Sequence, residues 1–238
     1  MTRASSSVGE RGGVEVFERA AGRYDAWFES ARGRAIFESE VRCLGQLSAG
    51  LPHPWLEVGV GTGRFAGALG IEVGIDPAVA ALQYARGRGL RVAGALGQAL
   101  PLRDGQFGGV FVIVTVCFAD DPLGLLQEAR RVVARSGAVV LGIVPAGSPW
   151  GRSYAAKGRG GHLFYSCARF FSLSELQGLA YAAGLRFERA ASTLFQPPGA
   201  RRLRIEGPKH GSLPGAGFVS LLYRPLANRG KRRGPGRT

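Results

Sequence analysis

The sequence has few of the residues that build metal centres or disulfide frameworks. Its 238 residues include three Cys and three His. Cys43, Cys117 and Cys167 stand far apart, and so do His53, His162 and His210. Scattered and odd in number, they argue against a disulfide scaffold and against a zinc site of the C-x-x-C kind, so no metal is expected. Long apolar runs are also missing. The most apolar stretch, Val110–Ala119, is about half of the roughly 20 residues a spanning helix needs. Met1–Gly13 carries Ser, Gly and two Arg but no apolar core, which does not fit a signal peptide. The expectation is a cytoplasmic protein without a membrane span.

Acidic residues are scarce too: 17 Asp+Glu face 31 Lys+Arg, a net charge of +14. Lys occurs only at 157, 209 and 231, so nearly all of the positive charge is Arg. Such an excess suits nucleic acid, anionic lipid or an acidic substrate. It also suits a solvated surface in an Arg-rich composition. Arg is spread along the whole chain, which favours the surface reading.

What is present is ordinary globular material, 45% hydrophobic and 20% charged, at a length that suits one α/β domain. Residues 1–13 read as a loose polar arm, 14–227 as the folded domain and 228–238, with Lys231-Arg232-Arg233, as a loose basic tail. Residues 14–50 read as a cap of two helices separated near Gly33. From Trp55 to Val144 short apolar runs alternate with helical segments, which predicts a mostly parallel sheet with helices on both faces. Asp121-Pro122 opens one helix and Ser136-Gly137 is expected to stop it. Residues 145–171, rich in Gly, Arg and aromatics, read as a long loop over the substrate region. Ser172–Glu175 is a capping box for a later helix, and two further strands follow.

The most informative segment is Leu56-Glu57-Val58-Gly59-Val60-Gly61-Thr62-Gly63-Arg64-Phe65. A buried strand runs into alternating glycines and then a helix whose first N–H groups are free for a ligand. Dinucleotide enzymes want G-x-G-x-x-G. Here the spacing is G-x-G-x-G, Arg64 stands where the third Gly would be, and Glu57 precedes the first Gly by two residues. That suits a zwitterion better than a pyrophosphate, with Glu57 toward an ammonium and backbone N–H groups toward a carboxylate. Asp76, ending Gly74-Ile75-Asp76-Pro77, can accept from both hydroxyls of a ribose or cap the next helix.

These segments resemble the first two motifs of class I S-adenosylmethionine-dependent methyltransferases. Leu100–Phe107 resembles the stretch before that family's fourth strand, and Glu128–Val133 with Ser136-Gly137 the helix and turn before its fifth. The nearest branch looks like the small-molecule type that includes quinone-biosynthesis methyltransferases. Tyr24–Phe28, Cys117–Pro122, Ser148–Gly151 and Phe164–Phe171 resemble a bacterial and archaeal subgroup of that branch. The resemblance implies an α/β fold with a seven-stranded sheet in the order 3-2-1-4-5-7-6, strand seven antiparallel. It also implies S-adenosylmethionine as cofactor, with Tyr24, Glu57, Gly59, Gly61, Gly63, Asp76, Leu96, Gln98 and Thr115 as its binding residues. The family usually carries an acid near position 96; here Gln98 is the only polar side chain of residues 94–99, so adenine is expected to be held mainly by apolar contact and backbone N–H groups.

The same resemblance puts Tyr154, His162, Tyr165 and Arg169 near the acceptor, with His162, Tyr165 and Tyr154 as candidate catalytic residues. Cys117 reads as a small apolar wall, since nothing activates its thiol. The acceptor is expected to be a small molecule. A nucleic-acid acceptor would explain the charge, yet Thr115–Asp121 lacks the Pro-Pro-aromatic turn of base amino methylases. A non-catalytic S-adenosylmethionine-binding protein is a further alternative, and an NAD enzyme is opposed by the glycine spacing.

Overall fold

A computed structural model describes residues 12–226. The tail expected at 228–238 and most of the arm expected at 1–13 lie outside the described residues. Helix α1 (Gly12–Trp27), bent at Ala20, and α2 (Ala31–Ser48) form the N-terminal layer. Then come β1 (Trp55–Val58), α3 (Arg64–Leu69), β2 (Val73–Ile75), α4 (Val79–Gly87), β3 (Arg91–Ala93) and β4 (Phe107–Ile113). The second half holds α5 (Pro122–Val132), β5 (Val133–Ile143), α6 (Pro149–Arg159), α7 (Leu173–Ala182), β6 (Leu185–Thr193), β7 (Lys209–His210) and β8 (Phe218–Pro225). Among these residues no helix is long and apolar enough to cross a membrane.

The strands form one sheet in the order β3-β2-β1-β4-β5-β8-β6-β7. β1 to β5 run parallel, while β8 lies antiparallel between β5 and β6. The expected order is present, with β8 as its seventh strand. The eighth strand is the pair Lys209–His210, which bonds to Ala191 and Ser192 at the sheet edge. Two residues in a Pro/Gly/Arg-rich stretch carry no periodicity to read.

Alternation along the strands sorts side chains to two faces. Leu56, Val58, Val139, Leu141, Val219 and Leu221 pack under α5 and α7. Trp55, Val140, Phe218 and Leu222 pack under α2, α3 and α4 through Leu44, Phe65 and Leu82.

Three local expectations are corrected. Gly33 does not separate the first two helices. Ser30 does, accepting from Gly33 N at 2.9 Å as the N-cap of α2. Ser136-Gly137 does not stop α5, which ends at Val132 and passes directly into β5. Residues 145–171 are not a plain loop, because α6 runs through them. Ser148 caps α6 by accepting from Gly151 N, and Pro149 fills its first position. The glycines that hid this helix serve close packing: a Cβ on Gly158 would lie 2.4 Å from the Tyr165 carbonyl oxygen.

Candidate active site

The C-terminal ends of β1, β2 and β4 converge where strand order reverses, the place where open α/β sheets bind ligands. The turn after β1 is held by Gly59 N and Val60 N, which donate to Ile75 O at 2.7 and 3.0 Å. Gly59 has φ +77, and a Cβ there would meet Thr115 Cγ2 at 2.1 Å. Thr115 in turn donates to Ile113 O at 2.9 Å and Gly59 O at 3.3 Å, tying the β1 and β4 ends together. Gly61 has φ +50 and its Cβ would point into open space.

That space is a cleft lined by Tyr24, Glu57, Gly59, Gly61, Asp76, Leu96, Gln98 and Thr115, with Phe17 and Phe118 among its other walls. Eight of the nine residues expected to bind the cofactor therefore meet there. Gly63 does not line it. It caps α3 at φ +80, and a Cβ would strike Leu90 Cδ1 at 2.6 Å, so it lets α3 pack against α4 and β3. Leu96 is nearly half exposed, at 47%. Asp76 accepts from Gly61 N through Oδ2 and from Ala78 N through Oδ1, both at 2.8 Å. Burial lifts its carboxyl above the usual range, and the two N–H groups pull it back.

Glu57 is 1% exposed, and its Oε2 has no hydrogen-bond partner. Burial, then the charge on Asp76, push this carboxyl well up. A buried acceptor without a donor is costly unless a ligand supplies one. The donor set thus fits the zwitterionic end of S-adenosylmethionine: an orphaned carboxylate for the ammonium, open space at Gly61 for the methionine chain, and an Asp with free lone pairs for a diol.

A second cavity of about 420 Å³ adjoins the cleft. Tyr24, Phe28, Phe65, Val114 and Phe118 line both. The second is rich in aromatic residues, with Trp27, Phe164 and Phe170, and also contains Glu40, Arg23, Tyr154, His162 and Tyr165. The last three form a stack, with Tyr165 between Tyr154 at 4.3 Å and His162 at 4.4 Å. Burial and then Lys157 and Arg23 lower the His162 pKa, which keeps the ring neutral near pH 7. Burial raises Cys117 to about 12, in keeping with an unreactive wall. Arg169 is not on the cavity; its guanidinium lies over Phe171 at 4.6 Å.

A methyltransferase-domain family model matches residues 56–141. A Mycobacterium tuberculosis protein of uncharacterised function is 43% identical over 203 residues, 85% of this chain and 71% of that relative. A Methanocaldococcus jannaschii protein is 33% identical over 77% of this chain and 87% of its own. A solved S-adenosylmethionine-dependent methyltransferase from Thermotoga maritima, described as a possible histamine N-methyltransferase, is 36% identical. It covers 88% of this chain and 98% of its own, with a TM-score of 0.80. The chain belongs to the class I S-adenosylmethionine-dependent methyltransferases. A Bacillus halodurans structure, 19% identical over 77% of this chain and 97% of its own at TM-score 0.57, shares the fold alone. The resemblance to the quinone-biosynthesis branch has no counterpart among these relatives.

Two features of this methyltransferase escaped the sequence reading. Glu40, on α2, opens into the second cavity although only 6% exposed. It sits in the apolar stripe Ile36, Glu40, Cys43, Leu44, Leu47, so a carboxylate at a core position was a legible signal. Val114 has φ +49, a rare and strained conformation for a β-branched residue, on the wall between the cavities. Nothing in the sequence marks it.

Proposed function

We propose that the protein transfers the methyl group of S-adenosylmethionine to a small molecule bound in the aromatic second cavity. The observation that carries this reading is the wall of five residues common to both cavities. It sets two bound ligands side by side, one in a cleft with the donor set of the cofactor, the other in an apolar space of the usual ligand size. When bound, the cofactor supplies a methyl carbon on a positive sulfur, an electrophile that needs alignment more than activation.

The chain's residues divide the work. Glu57 and the Gly59–Gly61 turn hold the amino-acid end, Asp76 the ribose, and Leu96 and Gln98 flank the adenine. Thr115 fixes the turn through its hydroxyl hydrogen and keeps its oxygen lone pairs to accept from the ligand. Tyr24 and Phe28 exclude water above the shared wall. His162 is neutral and at the cavity rim, so it can take a proton from an acceptor that must lose one. Tyr165 holds that ring by stacking, backed by Tyr154 on its other face, and both phenols are pushed upward by burial, which makes them donors rather than bases. The Thermotoga relative's possible acceptor, histamine, is likewise a small molecule.

The test is to incubate the protein with methyl-labelled S-adenosylmethionine and, in parallel, a low-molecular-weight cell extract and total RNA. Label in a small product supports the reading. Label confined to RNA overturns it and makes the Arg-rich surface the acceptor platform.

A further inference from the structure

We propose that Glu40 is the anchor for a cationic nitrogen on the methyl acceptor, so that the acceptor carries a protonated amine at one end and the methylated atom at the other. This rests on the proposed function and specifies the class of its substrate.

Glu40 lies on the apolar face of α2 and is almost fully buried, yet its carboxyl opens on the cavity. Among the described residues no cation pairs with it and no donor bonds to it; burial alone shifts its proton equilibrium, up to about 8. A native core rarely keeps a carboxyl in that condition without a reason. The surrounding surface answers what the reason is. Tyr24, Phe28, Tyr154, Tyr165 and Phe170 present aromatic faces and edges around the same space. Aromatic rings and a lone carboxylate together favour a positive charge on an apolar body, through cation–π attraction and a desolvated ion pair.

Glu40 is not one of the five residues that both cavities share. An ammonium held by Glu40 is therefore set away from the wall next to the cofactor, and a second atom of the acceptor faces that wall.

The other titratable groups facing Glu40 leave it as the local charge that can change. Tyr24 on α1, Tyr154 on α6, Tyr165 and Cys43 are all raised, burial being the largest cause, and are neutral at pH 7. Cys117, across the cavity, is neutral for the same reason. His162 is lowered and neutral. Arg23 lines the cavity without pairing to Glu40. Arg32 donates to Pro198 O and Ala200 O and lies over Trp150. Binding an ammonium must ionise Glu40, so a proton leaves to solvent.

The experiment is calorimetry on the full chain, with and without S-adenosylhomocysteine, using arylalkylamines and their carbon isosteres: tyramine against 4-propylphenol, phenethylamine against propylbenzene, tryptamine against 3-propylindole. At least one amine should bind tenfold or more tighter than its isostere. Its heat at pH 7 should vary with buffer ionisation enthalpy, showing release of a proton. Glu40→Gln should cut the preference below twofold and abolish the release while leaving S-adenosylhomocysteine affinity unchanged. Absence of any amine preference, or its survival in Glu40→Gln, overturns the anchor. Failure of S-adenosylhomocysteine to bind the unaltered protein sinks the proposed function instead, because the amine preference is read separately.

Discussion

Arg64 grips Asp25 through two bonds, Nε to Oδ1 at 2.9 Å and Nη2 to Oδ2 at 2.7 Å. Arg88 adds two more to the same carboxylate, at 2.9 and 3.0 Å. Asp25 is on α1, Arg64 opens α3, and Arg88 follows α4. The Arg that replaces a glycine in the dinucleotide pattern is thus the clasp between the N-terminal helix and the sheet domain.

That clasp titrates. Burial alone would raise the Asp25 carboxyl, but hydrogen bonds from Arg64 and Arg88 outweigh it and hold the group at about 2. Its folded value lies below its unfolded value, so the stabilisation is complete above about pH 4 and disappears as pH falls toward about 2. Asp25→Asn should cost about 2 kcal/mol at pH 7. The gap to the unaltered protein should narrow below about pH 4. Urea titrations at several pH values read this; a gap constant down to acid pH would make the contribution one of packing.

Gly61 and Gly63 should separate binding from folding. Gly61→Val places atoms in the cleft and should reduce S-adenosylmethionine affinity by about 100-fold or more, near 3 kcal/mol. Its backbone strain should cost about 1–3 kcal/mol of stability. Gly63→Ala meets Leu90 and Ala85 instead. It should lower the melting temperature and leave affinity within about threefold once the protein is folded, a difference of under 1 kcal/mol. Calorimetry on both variants decides the placement.

Glu57 makes cofactor affinity depend on pH. Its carboxyl is held above the ordinary range by burial and by Asp76. A ligand ammonium needs the ionised form. Affinity should therefore rise with pH as Glu57 ionises, for as long as the ligand nitrogen keeps its proton. Glu57→Gln should flatten that dependence and weaken binding. A pH-independent affinity in the unaltered protein would mean that Glu57 meets the ligand as a neutral acid.

Asp76→Ala should lose both stability and binding. The two backbone N–H groups it satisfies are worth about 1.5–3 kcal/mol each as bonds to a charged acceptor. Loss of ribose contacts should reduce affinity by at least about tenfold, roughly 1.4 kcal/mol. A lower melting temperature with full cofactor affinity would confine Asp76 to holding the Gly61 turn.

Most of this architecture was legible because it is written in short range. Leu56–Gly63 couples a buried strand to a glycine turn within eight residues, and Asp121-Pro122 and Ser172–Glu175 mark helix starts by cap chemistry. Helix α6 was hidden because its glycines answer to distant backbone, the carbonyls of Pro145 and Tyr165. Gly63 was assigned to the ligand because φ +80 and close packing leave the same trace in a sequence as a binding turn. Asp25, Arg64 and Arg88 stand 39 and 63 positions apart on the chain, and only the fold brings them together. Of the eight expected cofactor residues that gather in one cleft, seven lie at or after strand ends, which the α/β pattern fixes in order, and Tyr24 is brought in by α1.

Helix α1 roofs both cavities at once: Val14 and Phe17 cover the first, Trp27 the second, and Tyr24 each of them. The position of this one helix therefore shapes both spaces together. The clasp between Asp25 and Arg64, whose Arg also lines the first cleft, ties that shared roof to the sheet.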